Sequence, residues 1–230
     1  MLPFLFERAS NSSCRSYSAC LQTLSALPYH LGLNRLLPHM KSLGQCISVA
    51  ASHNQASVQV LGLSLMSQVA QVLHGNSKAV SAAKSDLQSL LPAVCPTMGA
   101  AVSAGERVAV SAFEAVLEMA EHAARFLRPV ARDLFCTCGS LCKAADVAGP
   151  VRVLSLELML VLVESSATNA RRLAPLASEA VDAALFLCLC DEPLECDEEE
   201  WEEDDEDCSY SDHATETFKA GVEGASVQSS

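Results

Sequence analysis

Residues 107–129 read RVAVSAFEAVLEMAEHAARFLRP, and their spacing decides the fold class. Ala109, Phe113, Val116, Leu117 and Ala120 recur at i, i+4, i+7, i+8 and i+11, which is one face of a helix. Glu114, Glu118 and Glu121 fall at i, i+4 and i+7, an acidic stripe beside that face. The run closes on Phe126-Leu127-Arg128-Pro129, and this Leu/Pro punctuation recurs. Leu36-Leu37-Pro38 and Leu90-Leu91-Pro92 precede it, and Leu173-Ala174-Pro175 follows. The prolines are 54, 37 and 46 residues apart.

Between these marks almost everything from Tyr17 to Cys190 reads as helix. Ala, Leu, Val, Gln, Glu and Ser dominate, aromatics are 5%, and no long alternating β pattern appears. Breaks are expected at Gly75-Asn76, Ser103 to Gly105, Gly149-Pro150 and Ser166 to Asn169. A second set of helices opens near Val58, Arg107 and Val151, spaced 49 and 44 residues apart. Two helices per period in the mid-forties fit HEAT or armadillo-like repeats. The expected architecture is an all-α solenoid of about four helix pairs over 17–190, each pair burying its apolar face on the next. An irregular segment, 1–16, is expected before it. An acidic loop, 191–209, lies within the last repeat, and 210–230 reads as a partial last helix and a disordered C-terminus. A four-helix bundle is the competing architecture, but seven or so helices with a repeated proline signature favour the solenoid. In the helix containing Leu154, Leu158, Val161 and Leu162, the other sides carry Leu156, Met159, Leu160 and Val163. That helix is expected to be buried between neighbours.

The formal net charge is -13, but it has an address. Residues 191–207 hold 13 carboxylates and no Lys or Arg, which leaves 15 acidic against 15 basic residues elsewhere. The body is neutral, so no basic face exists to release counterions from phosphates, and nucleic acid is not an expected partner. The acidic run reads either as a solvated linker or as an electrostatic clamp for a basic protein surface. The Glu114, Glu118, Glu121 stripe, repeated by Glu157 and Glu164, likewise reads either as a solvated helix face or as a wall for a basic segment.

Eleven cysteines do not make a disulfide framework here: their number is odd, and Cys46, Cys95, Cys188 and Cys190 sit in apolar helical stretches. The apolar start, Met1 to Phe6, meets Glu7 and Arg8 too early for a signal-peptide core, and a reducing intracellular compartment is expected. Cys136-x-Cys138-x3-Cys142 is the one metal-like cluster. On a helix Cys138 and Cys142 share a face and Cys136 does not, so core packing is the expected role rather than metal binding. The most apolar window, Val153 to Val163, is too short to span a membrane. No Gly-rich phosphate loop, nucleophile elbow or His-Glu-x-x-His pattern is present, and the six histidines are scattered. The chain does not read as an enzyme, and no cofactor is expected. Asp212 is placed to cap a helix starting near His213.

One ordered series carries a family resemblance. It runs Ala112-Phe113-Glu114, Leu117 to His122, Arg125 to Pro129, Pro150-Val151-Arg152, Leu156-Glu157-Leu158 and Glu164-Ser165. It closes on the acidic run around Trp201 and on Tyr210 to Ala214. The series resembles the middle of a karyopherin-β (importin-β family) nuclear transport receptor, most similar to the importin-β3 (Pse-type) subgroup, over roughly residues 31–220. The resemblance implies a nuclear import receptor segment in cytoplasm and nucleus that binds the Ran GTPase and basic cargo proteins carrying nuclear localisation signals, with nucleoporins as further partners. It implies that the acidic loop (Asp197, Glu198, Glu199, Glu200, Trp201, Glu202, Glu203, Asp204, Asp205, Glu206 and Asp207) contacts a basic patch of Ran. It also implies that Glu114, Glu118, Glu121, Glu157 and Glu164 face cargo inside the arch. The family's N-terminal repeats, which hold the switch regions of Ran, have no counterpart, so the chain reads as an internal piece. Between Thr215 and Ala225 only Phe218 and Val222 are large and apolar, a departure from the family pattern. A HEAT scaffold whose acidic strip docks a basic protein without Ran dependence is the alternative.

Overall fold

A computed structural model describes residues 2–9, 16–73, 75, 77–165 and 167–190. The chain divides into the units Met1–Cys190 and Asp191–Ser230, and the second lies outside the described residues. With it lie the acidic loop, Trp201, the expected cap at Asp212 and the helix near His213.

The described residues form helices joined by short turns, with no strand among them. In chain order the helices are α1 (Leu2–Ala9), α2 (Tyr17–Leu31), α3 (Leu33–Leu36), α4 (Met40–Ala51), α5 (Ala56–Val72) and α6 (Lys78–Gln88). Then come α7 (Val94–Ala104), α8 (Glu106–Leu127), α9 (Ala131–Cys142), α10 (Gly149–Glu164), α11 (Ala167–Leu173) and α12 (Ala177–Cys190).

The Leu/Pro marks become the joints. Leu37–His39, Leu91–Ala93 and Ala174–Leu176 each form a single 3-10 turn leading into α4, α7 and α12. Proline stands in the first turn each time, where its missing N–H costs nothing. At the fourth mark Arg128-Pro129-Val130 is a turn between α8 and α9. Distant side chains satisfy carbonyls at that joint. Gln88 Nε2 donates to the Phe126 carbonyl at 3.0 Å, and an Arg172 guanidinium nitrogen donates to the Arg128 carbonyl at 3.0 Å.

Packing follows chain order. Helix α2 lies on α5, α5 on α8 and α8 on α10, while α4 packs on α5, α7 on α8, and α9 on α10 and α12. The core runs through these contacts, and Phe113, Phe126, Phe135, Met98 and Met119 are among its largest fully buried side chains. Gly62 and Gly105 show why the geometry calls for glycine. Gly62 brings α5 against α4, and a Cβ there would sit 2.6 Å from that of Ala50. Gly105, at φ +119°, turns the chain from α7 into α8 in a conformation that favours glycine.

Four differences from the sequence reading have physical causes. The 1–16 segment is not all irregular, because α1 forms in it and packs on α2 and α4 through buried Leu5, Phe6 and Ala9. The break placed at Ser166 to Asn169 is shorter, since Asn169 lies inside α11 and is fully buried. Helix α10 is not enclosed on all sides: Val153 is 53% and Leu160 48% exposed. Finally, Lys78–Ala104 is 27 residues with mean hydropathy 1.2 over its best window, long and apolar enough by composition to cross a membrane. It is two helices joined at a 3-10 turn, and α7 buries Val94, Met98 and Ala101 while packing on α5 and α8.

Candidate binding surface

The acidic stripe on α8 is exposed because its opposite face is spent on the core. Ala109, Ala112, Phe113, Val116, Met119 and Ala120 are buried, and Glu114, Glu118 and Glu121 take the solvent side. One of the three is held in place. Gln68 Nε2 donates to Glu118 Oε2 at 2.9 Å, and Gln71 Nε2 donates to the same oxygen at 3.3 Å. Gln71 also reaches Ser67 Oγ at 3.2 Å, so α5 supplies a small amide ladder to the carboxylate of α8. Two amides fixing one oxygen orient a charge that would otherwise sample several rotamers.

Glu121 lies 3.9 Å from His122 Nδ1, a loose contact of two exposed side chains. That imidazole nitrogen also lies 3.0 Å from the Glu118 carbonyl, one turn back. Immediately beyond, α8 loses helical geometry at Ala123 (φ −135°, ψ 38°) and resumes to bury Phe126 and Leu127. Glu157 and Glu164 are exposed on α10, the helix that packs against α8. The fold thus puts all five glutamates on two neighbouring helices and on solvent-facing positions. Asp197 to Asp207, with Trp201, lie outside the described residues.

The cysteines divide as the helical spacing predicts. Cys138 and Cys142 are fully buried and Cys136 is half-buried. Burial pushes the Cys138 thiol well above its usual range and the Cys142 thiol up to about 11. The Cys142 thiol donates to the Arg152 carbonyl at 3.4 Å, tying α9 to α10. Cys95 is raised as well, first by burial and also by nearby Asp133. Protonated, buried thiols of this kind act as small apolar fillers. Among the described residues no three His, Cys, Asp or Glu side chains gather in a way that would hold a metal. Cys46 is buried, Cys95 is half-buried and Cys188 is exposed.

The sequence reading missed Gln68 and Gln71. Their signal is two amides three residues apart in a helix whose neighbouring positions are nearly all apolar. No protein-family model, curated protein or solved structure matches this chain.

Proposed function

We propose that this chain is a non-catalytic helical-repeat module of HEAT or armadillo-like type that takes a basic protein segment on the α8 and α10 surface. What carries the reading is Glu118. Its carboxylate is fixed by Gln68 and Gln71 on an exposed face, between two more exposed glutamates. An oriented row of carboxylates attracts Lys and Arg side chains from a distance, and a fixed member loses less entropy on pairing. The sequential packing of α2, α5, α8 and α10, with α4, α7, α9 and α12 beside them, supports the repeat reading.

The resemblance to karyopherin-β gives this activity its specific form. The basic segment is a nuclear localisation signal, Ran is the second partner, and the acidic run from Asp197 to Asp207 is the Ran contact. Retention on immobilised Ran, compared in the GTP and GDP forms, tests that form. Nucleotide-dependent retention, lost when Glu198 to Asp207 are neutralised, supports it. Equal retention with both nucleotides sinks it and leaves the scaffold alternative. The broader reading is tested with a Lys/Arg-rich peptide by fluorescence anisotropy. The triple change Glu114→Gln, Glu118→Gln, Glu121→Gln is expected to weaken binding about tenfold or more. Unchanged affinity in a folded triple variant refutes this surface.

A further inference from the structure

The break in α8 opens onto a groove of ≈ 350 Å³ bounded by the end of α5, Gly75, α6 and the end of α10. Its lining carries more positive than negative side chains. Lys84 of α6 and Arg125 of α8 line it, with Glu121 and His122 also from α8 and Ser165 beyond α10. Neither Lys84 nor Arg125 has an ion-pair partner among the described residues. Among the described residues the carboxylate at the groove is Glu121, which makes a loose 3.9 Å contact with His122 and no ion pair with either cation. Two cations therefore line one concave, mainly polar space on a body whose acidic and basic residues balance.

We propose that this groove binds a phosphate monoester dianion. Lys84 and Arg125 outnumber the single Glu121 carboxylate at the groove, and the three terminal oxygens of a phosphoryl group offer both cations an acceptor where a carboxylate has two. A guanidinium presents paired N–H donors that fit two oxygens of one phosphoryl group, and the ammonium of Lys84 supplies a compact second charge. The Ser165 hydroxyl adds a neutral donor at the rim. Non-helical Ala123 explains why the space exists: a straight α8 would carry its side chains past α6 without a break. The groove shares Glu121 with the acidic stripe but not Glu114 or Glu118, and phosphate binding is read apart from the binding of basic segments.

The phosphoryl group has two possible sources, a small phosphorylated molecule or a phosphorylated side chain. The experiment titrates the full chain with inorganic phosphate, and then with a short phosphoserine peptide and its unphosphorylated form. Amide shifts are followed by NMR, with acetate and with chloride at matched ionic strength as controls. Saturable shifts confined to Ala123, Ala124, Arg125 and Ser165 are expected with phosphate, and weaker ones with acetate. A peptide binding ten times tighter than inorganic phosphate assigns the phosphorylated side chain, and equal affinity assigns the small molecule. Lys84→Gln with Arg125→Gln is expected to weaken binding at least tenfold with helicity unchanged by circular dichroism. If that pair unfolds the chain, the single variants and Glu121→Gln decide. Each single loss should weaken binding several-fold, and Glu121→Gln should tighten it about twofold to fivefold by removing the competing carboxylate. Chloride shifts equal to those of phosphate overturn the proposal. So do cation variants that bind phosphate within twofold of the parent, or a weaker Glu121→Gln.

Discussion

Helices α8 and α10 pack against each other, and both run for several turns. Helix α8 separates its chemistry cleanly, with Phe113, Val116 and Met119 inside and three glutamates outside. Helix α10 is apolar nearly all round, yet it hides only part of that surface. Leu158, Met159 and Leu162 are fully buried while Val153 and Leu160 stand in solvent. An amphipathic pattern states which side faces the core. A helix with apolar residues on every side leaves that choice to the neighbours available, here α8, α9, α11 and α12.

The largest loss of stability is expected from α8. Phe113→Ala removes a fully buried ring from a helix packed on α5, α6, α7 and α10, and should cost about 3–5 kcal/mol in urea unfolding. Leu158→Ala on α10 should cost about 2–5 kcal/mol, while Leu160→Ala, two residues on, should change stability by less than about 1 kcal/mol. Near-equal costs at 158 and 160 would mean that the outer side of α10 is covered in solution. Gly62→Ala tests close approach rather than burial. Its new methyl would overlap that of Ala50, and the unfolding midpoint should fall by an amount equivalent to about 1–3 kcal/mol.

The α9–α10 contact gives a pH prediction. Cys142 titrates near 11 in the folded chain, above its usual value of 9.0, so the unfolded chain loses this proton first. Stability is therefore full below about pH 9 and declines as pH rises toward about 11, by about 1.4 kcal/mol per pH unit for this thiol. Raised Cys138 adds to the decline in the same direction. Thermal melts from pH 8 to 11 should show the fall, and Cys142→Ala should make it shallower. The smallest effect belongs to the exposed ladder. Glu118→Ala removes two hydrogen bonds from glutamine side chains at the surface and should cost no more than about 1 kcal/mol, with its main consequence in the affinity for a basic peptide.

Much of the helix layout was legible because it rests on local rules. The i, i+4, i+7 pattern of α8, the proline joints at Pro38, Pro92, Pro129 and Pro175, and the shared face of Cys138 and Cys142 all arise within a few residues. Other features were not legible because their causes are distant in sequence. Leu2–Ala9 lacks a repeat pattern of its own, yet Leu5 and Phe6 are buried where α1 meets α2 and α4. Asn169 reads as a turn residue, but α11 carries it into the interior, where both amide atoms lack a hydrogen-bond partner among the described residues.

The candidate surface shows the same division. Sequence alone placed Glu114, Glu118 and Glu121 on one stripe, since helical spacing fixes the angle between them. That Gln68 and Gln71 hold Glu118 depended on α5 lying beside α8, 47 to 50 residues away along the chain. The groove at Lys84 and Arg125 depended on a break at Ala123 that no proline or glycine announces. Composition and periodicity determined a helical, neutral body and a charge gathered at 191–207, because those properties need only the order of residues. Which helix faces met, which glutamate was fixed and where two cations shared a cavity were decided by tertiary packing, because each requires groups far apart in the chain to occupy one place.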